Sequence, residues 1–114
     1  MITFDEFKKV EIKIGEILSA EKIAGSEKLL RLMVDFREGE PRQILSGISA
    51  YFPEPQTLVG KKCAFATNLE PRKMMGLESN GMILAVGGDG ENAEQNFFSL
   101  LETTPDVTPG NAVR

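Results

Sequence analysis

Apolar and polar positions alternate along much of the chain with a period of two. Val10, Ile12 and Ile14 alternate with Glu11 and Lys13, and Leu30, Leu32, Val34 and Phe36 alternate with Arg31, Met33 and Asp35. Each run predicts a strand with one face in a core and the other in water. Gly15 reads as a bulge ahead of Ile17 and Leu18. Arg42 to Gly47 predicts a third strand, Cys63 to Thr67 a fourth, Met82 to Val86 a fifth and Asn96 to Leu101 a further one. Helical signals are brief. Thr3 and Glu6 match a capping box that predicts a short helix over Phe4 to Lys8, with Phe4 and Phe7 pinning it to the sheet. Pro53 and Pro55 interrupt Ser49 to Gly60 but allow a short helix or turn, whose Tyr51, Phe52, Leu58 and Val59 pack on the sheet. Gly87-Gly88-Asp89-Gly90 reads as a reverse turn, and Glu102 to Arg114 carries no regular pattern throughout. The order of elements predicts one all-β domain over residues 1–114, a small barrel or sandwich with short helices and a C-terminal extension. Periodicity leaves barrel and sandwich both open.

Composition narrows the function more than the fold. The chain has no histidine and a single cysteine, so it lacks the commonest general base near neutral pH and the commonest metal ligands. No nucleophile elbow, phosphate-binding P-loop or dinucleotide fingerprint is present. A binding module with no catalysis, no cofactor and no metal is the expectation. Cys63 lies inside an apolar alternation and is expected to be a small buried side chain. No stretch approaches the roughly 20 apolar residues that span a bilayer, so no membrane partner is expected and the expected compartment is the cytoplasm. Met1 fits a natural start and the start of an excised fragment equally well.

A net charge of −4 argues against a polyanionic partner until its distribution is read. Residues 1–21 carry three cations and five carboxylates, residues 91–114 one and four, and residues 22–90 nine and eight. The acid excess therefore sits at the two ends, and the near-balanced middle can gather cations on one face. Anion binding requires local positive potential, not a basic chain.

The connector Asn68-Leu69-Glu70-Pro71-Arg72-Lys73-Met74-Met75-Gly76-Leu77-Glu78-Ser79-Asn80-Gly81-Met82 carries the most chemical information. Adjacent Arg72 and Lys73 do not suit a buried connection, while Pro71, Gly76 and Gly81 shape the backbone around them. A guanidinium can grip two phosphate oxygens in a fixed fork, and an ammonium acts as a mobile point charge.

The same residues, in order with several others, resemble the tRNA-binding domain found at the C-terminus of many methionyl-tRNA synthetases and in small free-standing tRNA-binding proteins. The likeness runs through Phe7-Lys8-Lys9-Val10-Glu11-Ile12-Lys13-Ile14-Gly15, Ser26-Glu27-Lys28-Leu29-Leu30-Arg31-Leu32, Arg42-Gln43-Ile44-Leu45-Ser46-Gly47-Ile48, Leu58-Val59-Gly60-Lys61, the connector, and Thr108-Pro109-Gly110. One segment departs: Ala24-Gly25-Ser26 stands where many members have a proline, a variable residue and a small residue. The resemblance implies a five-stranded OB-fold barrel, a homodimer, tRNA as ligand and a methionyl-tRNA synthetase body on the same polypeptide or as a partner.

Arg72 and Lys73 are then the first candidates for phosphate contacts. Asn68 and Ser79 either bond ribose or base edges or satisfy turn backbone. Lys28, Arg31 and Arg42 extend the cationic surface or serve as solvated charges and ion-pair partners. Ser46 serves turn geometry or RNA, and one of Met74 and Met75 points outward toward a base or a partner subunit, with Met82 nearby. Aromatic residues are few, so recognition would rest on phosphates and RNA shape. Two other readings stay open: an export-related dimeric chaperone that binds unfolded polypeptides on the same fold, and a purely structural dimerisation domain.

Overall fold

The computed structural model of the chain describes residues 1–87 and 97–114. A long strand, β1 (Ile12–Lys22), organises the rest. Its first half pairs with β4 (Lys62–Ala66) and its second half with β2 (Leu30–Asp35), both antiparallel. With β3 (Arg42–Ser46) beside β2 and β7 (Met82–Ile83) beside β4, the sheet runs β3-β2-β1-β4-β7. It curls into a nearly closed five-stranded barrel. Smaller pairings complete the fold: the hairpin β5 (Arg72–Met74) with β6 (Leu77–Ser79), and β8 (Ala85–Gly87) with β9 (Phe98–Leu100). The all-β expectation holds.

On β2 the period-two pattern becomes the core directly, whereas Val10 of the first run precedes β1 and is 46% exposed. Leu30, Leu32 and Val34 on β2 are fully buried, and Arg31, Met33 and Asp35 between them are half-buried on the outer face. Phe36 meets Phe65 edge-on at 5.3 Å inside the barrel. Each such side chain contributes about 1.5–3 kcal/mol through burial. Cys63 is fully buried, and desolvation, helped by the Glu102 carboxylate and opposed by Lys61, pushes its thiol up to about 11. It is therefore a packing residue with little thiolate at neutral pH.

Gly15 is not the bulge. The register shift in β1 falls between Ile17 and Ser19, where Leu18 turns outward. Gly15 instead leaves room for the core, because a Cβ there would lie 2.5 Å from Val34 Cγ1 and 2.7 Å from Phe36 Cε1. The expected fifth strand is also divided. Leu84 donates its amide to Ala64 at 3.0 Å and accepts from Leu101 at 3.3 Å, so the chain passes from β4 as partner to β9. Of the proposed turn at Gly87-Gly88-Asp89-Gly90, residues 88–90 lie outside the described residues, as does Asn96 of the last expected strand.

The N-terminal helix α1 (Phe4–Phe7) has its capping box, with Glu6 N–H donating to Thr3 Oγ1 at 3.1 Å and Thr3 N–H donating to Glu6 Oε1 at 3.0 Å. The Thr3 N–H and the Thr3 hydroxyl, which donates to Glu6 Oε1 at 3.1 Å, hold the Glu6 carboxyl below its ordinary range. The helix is not pinned by its phenylalanines, however. Phe4 is 72% and Phe7 42% exposed, because they border an open cleft with Val10, Ile12 and Val113 rather than the core. Among the proline-flanked residues, Leu58 is fully buried and Tyr51 and Phe52 pack at the core edge, with Tyr51 stacked on Phe98 at 4.2 Å. Val59 is 49% exposed: it leaves the Pro55–Leu58 turn in an extended conformation, and only Leu58 is directed inward.

The C-terminal extension lies along β1. Ile14 donates to Asn111 O at 2.9 Å, Gly110 to Ile14 O at 2.7 Å and Val113 to Ile12 O at 2.8 Å. Gly110 has φ +92, and a Cβ there would fall 2.6 Å from Phe36 O, which accounts for the glycine of the Thr108-Pro109-Gly110 motif. No helix among the described residues is long and apolar enough to cross a membrane.

Gly15→Ala is expected to lower stability by about 1–3 kcal/mol, as overpacking of a filled core does. Gly47→Ala, where nothing lies within 4 Å of the new Cβ, is the control and should stay within about 0.5 kcal/mol of the parent in urea unfolding.

Candidate nucleic-acid interface

The connector between β4 and β7 is not a loop. It folds into the β5–β6 hairpin with the register Arg72↔Ser79, Lys73↔Glu78 and Met74↔Leu77. The turn residues Met75 and Gly76 have φ +55 and +76, the doubly left-handed pair that a tight hairpin turn needs. Sequence reasoning missed this hairpin because the usual Asn-Gly or Asp-Gly signal is replaced by Met-Gly. A left-handed methionine costs about 1–2 kcal/mol, and it places a 56%-exposed side chain at the tip.

Side chains alternate along a strand, so Arg72 and Lys73 leave the hairpin on opposite faces. Ser79, opposite Arg72, is buried against the barrel, while Glu78, opposite Lys73, is exposed. Both cations are exposed, and among the described residues neither makes an ion pair or hydrogen bond. Lys28, exposed on the loop joining β1 to β2, is likewise unpaired at its ammonium. Its backbone is shaped by Ser26 Oγ, which accepts from Lys28 N–H at 3.3 Å and Leu29 N–H at 3.1 Å. The hairpin tip reaches this loop, with Met75 Cε 3.5 Å from where a Cβ on Gly25 would stand. Three unpaired cations therefore project from two loops that touch.

Other candidates hold the barrel together. Arg42 grips both Glu38 oxygens at 2.8 and 2.7 Å and donates through Nη1 to Thr67 O at 2.7 Å and Asn80 O at 3.3 Å. It also lies 5.3 Å from the Phe36 ring centroid. The Arg42 bond holds the Glu38 carboxyl below its ordinary range, and the same bond raises the guanidinium. Arg31 donates to Gln43 Oε1 at 2.7 Å and Glu21 Oε1 at 2.9 Å, and Gln43 passes the chain on to Glu78 O at 2.8 Å. Ser79 Oγ accepts from Leu45 N–H at 2.9 Å and donates to Gly81 O at 3.2 Å. Asn68 accepts from Glu11 N–H at 2.8 Å and donates to Lys9 O at 2.6 Å, clamping the N-terminal segment. Ser46 is half-buried at the end of β3 opposite Leu30, and Met82 is 48% exposed on β7.

The structure adds a feature that local reasoning did not find. An open cleft of about 540 Å³ lies at the base of the hairpin, bounded by Met33, Glu40, Leu69, Pro71 and Asn80, with Arg42 and Gln43 along its wall. Pro71 stood out within the connector, but nothing local links it or Asn80 to Met33 or Glu40. Among the described residues, no group of three His, Cys, Asp or Glu side chains could hold a metal ion.

Comparison with known proteins assigns this arrangement to a family. Residues 12–112 match the family model described as "Putative tRNA binding domain". The chain belongs to that family. This tRNA-binding domain is 46% identical over 113 residues to a methionine–tRNA ligase of Lactococcus lactis subsp. lactis, covering 98% of the chain and 16% of the ligase. It is 49% identical over 114 residues to the Methanoregula boonei enzyme, again spanning 16% of that protein. In structure it resembles a MetRS-related protein from Pyrococcus horikoshii, with TM-score 0.86 and 37% identity over 100% of this chain and 98% of that one. A Bacillus anthracis chaperone CsaA superposes with TM-score 0.80 at 24% identity, a likeness of fold alone. The domain is an OB-type barrel. OB folds bind oligonucleotides on the face of their second and third strands and on the loops joining strands one to two and four to five. Here those loops carry Lys28 and the Arg72/Lys73 hairpin.

Ser79→Ala should destabilise the domain by about 1–3 kcal/mol, because it strands the buried Leu45 amide, whereas Arg72→Ala should change stability by less than about 0.5 kcal/mol. The depressed Glu38 carboxyl contributes stability above its unfolded pKa and loses it as pH falls through the folded value. The stability gap between the parent and Glu38→Gln should therefore shrink as pH is lowered from about 6 to about 3.

Proposed function

We propose that this chain is a non-catalytic module that binds tRNA in the cytoplasm for a methionyl-tRNA synthetase, on the same polypeptide or as a partner. The observation that carries this reading is the group of unpaired cations, Arg72, Lys73 and Lys28, on two touching loops of a tRNA-binding-family barrel. Phosphates supply the affinity and the fixed shape of the barrel supplies the register. With no tryptophan in the chain, base stacking on aromatic rings is a minor term. The overall charge of −4 restricts attraction to this region and makes binding salt-sensitive.

The module works as a homodimer. The exposed Phe4, Phe7, Val10 and Val113 border a cleft of about 460 Å³ where the N-terminal helix meets the C-terminal extension, and a second copy would cover it. A dimer presents two cationic hairpins, so one RNA touching both gains affinity without a new contact.

The decisive experiment is equilibrium binding of mixed tRNA across a salt series, with parent, Arg72→Ala, Lys73→Ala and the double variant all verified as folded. Each single change should flatten the slope of log affinity against log salt by about 0.7–0.9, and the double change by about 1.4–1.8. Absence of binding by the folded parent at low salt would sink the reading for the isolated chain. Salt-insensitive capture of an unfolded polypeptide would favour the chaperone reading instead. Sedimentation should show a dimer that Phe4→Ser with Val113→Ser converts to a monomer while the barrel stays folded.

A further inference from the structure

The cleft at the base of the hairpin has a chemistry unlike the cationic loops beside it. Its one cation, Arg42, has its fork closed on Glu38, and Glu40 brings a carboxylate without a partner among the described residues. A phosphate would meet no free positive charge there. Polar and apolar surface line it in about equal measure, and the apolar part is Leu69, 46% exposed, with Pro41, Pro71 and the half-buried Met33. Such surfaces suit the flat face of a heterocycle.

The polar groups of the cleft are held but not saturated. Asn80 is fixed through its backbone, donating N–H to Gln43 O at 2.8 Å and accepting from Arg42 Nη1 at 3.3 Å. Its side-chain amide has no partner among the described residues. Gln43, by contrast, uses both ends of its amide, on Arg31 and on Glu78 O. A ligand in the cleft therefore meets one free amide, which donates and accepts, and one free carboxylate, which only accepts.

We infer that this cleft is a subsite for one unpaired nucleobase of the bound RNA, and that guanine is the base it takes. The Watson–Crick edge of guanine sets two adjacent donors, N1–H and the N2 amino group, beside the O6 acceptor. The donors match the Glu40 carboxylate and O6 matches the Asn80 amide. Adenine and cytosine each offer one donor group beside bare acceptors, and uracil sets its one donor between two acceptors, so each would turn a lone pair toward the carboxylate. The inference builds on the tRNA reading, in which unpaired loop bases are open to side chains. Pro71 directly precedes Arg72, so a phosphate held by the hairpin brings its neighbouring nucleotides to the cleft.

The test is an amide NMR titration of the folded chain with GMP, AMP, CMP and UMP, whose phosphates are alike. GMP should bind at least about fivefold tighter than the other three and should shift the Asn80 side-chain amide signal. Glu40→Gln should erase the ratio between nucleotides, whatever it does to their common affinity. Leu69→Ser should weaken all four equally, since the apolar wall does not read the base edge. Equal affinities for the four nucleotides, an unmoved Asn80 signal, or a guanine preference that survives Glu40→Gln would each overturn the subsite. If tRNA fails to bind while GMP keeps its preference, the carrier reading falls and the base subsite stands. If tRNA binds with the expected salt slope while the four nucleotides are indistinguishable, the subsite falls alone.

Discussion

The amide of Leu45, buried where the curled sheet nearly meets itself, has no strand carbonyl opposite it, and the Ser79 hydroxyl takes that place. An unpaired buried donor costs about 1–3 kcal/mol, so this hydroxyl is one of the bonds that hold the hairpin to the barrel. Asn80 N–H on Gln43 O and the Arg42 fork on Glu38, Thr67 O and Asn80 O seal the same seam. The hairpin cations and the cleft hang from it, while Lys28 stands on the β1–β2 loop. The hairpin that carries Arg72 and Lys73 begins and ends at the seam, and the cleft between Pro71 and Met33 lies beside it.

The seam also divides the cations by role. Arg31 and Arg42 have their guanidinium groups engaged in bonds within the barrel, and Arg42 is further held over Phe36. Arg72, Lys73 and Lys28 have no partner among the described residues. A chain with seventeen carboxylates and thirteen Lys and Arg can still present unpaired cations locally when its other cations take up carboxylates within the barrel. Glu38 and Glu21 are paired in this way, whereas Glu78, across the hairpin from Lys73, is exposed. Net charge describes the whole molecule, while a phosphate senses charges within roughly a Debye length of about 10 Å.

Strain points to the same region. Met75 holds a left-handed conformation at the hairpin tip where asparagine or glycine would sit without cost, and its methyl group rests by Gly25 on the neighbouring loop. The contact couples the loop bearing Lys28 to the hairpin bearing Arg72.

Much of the fold was legible because alternation is local: Leu30, Leu32 and Val34 needed only their own neighbours to declare a buried face, as did Cys63. The ordered motifs were enough for the family, and the adjacent Arg72 and Lys73 were enough to mark the connector. What the sequence could not determine was which polar groups remain free, because a partner can lie anywhere along the chain. Asn68 is saturated by a segment 57 residues away, and Ser79 by one 34 residues away. The exposure of Phe4 and Phe7, the break at Leu84 and the cleft joining Met33 to Asn80 arise the same way. Local pattern sets which face of a strand is apolar; closure of the barrel alone decides what that face, and each polar group beside it, will meet.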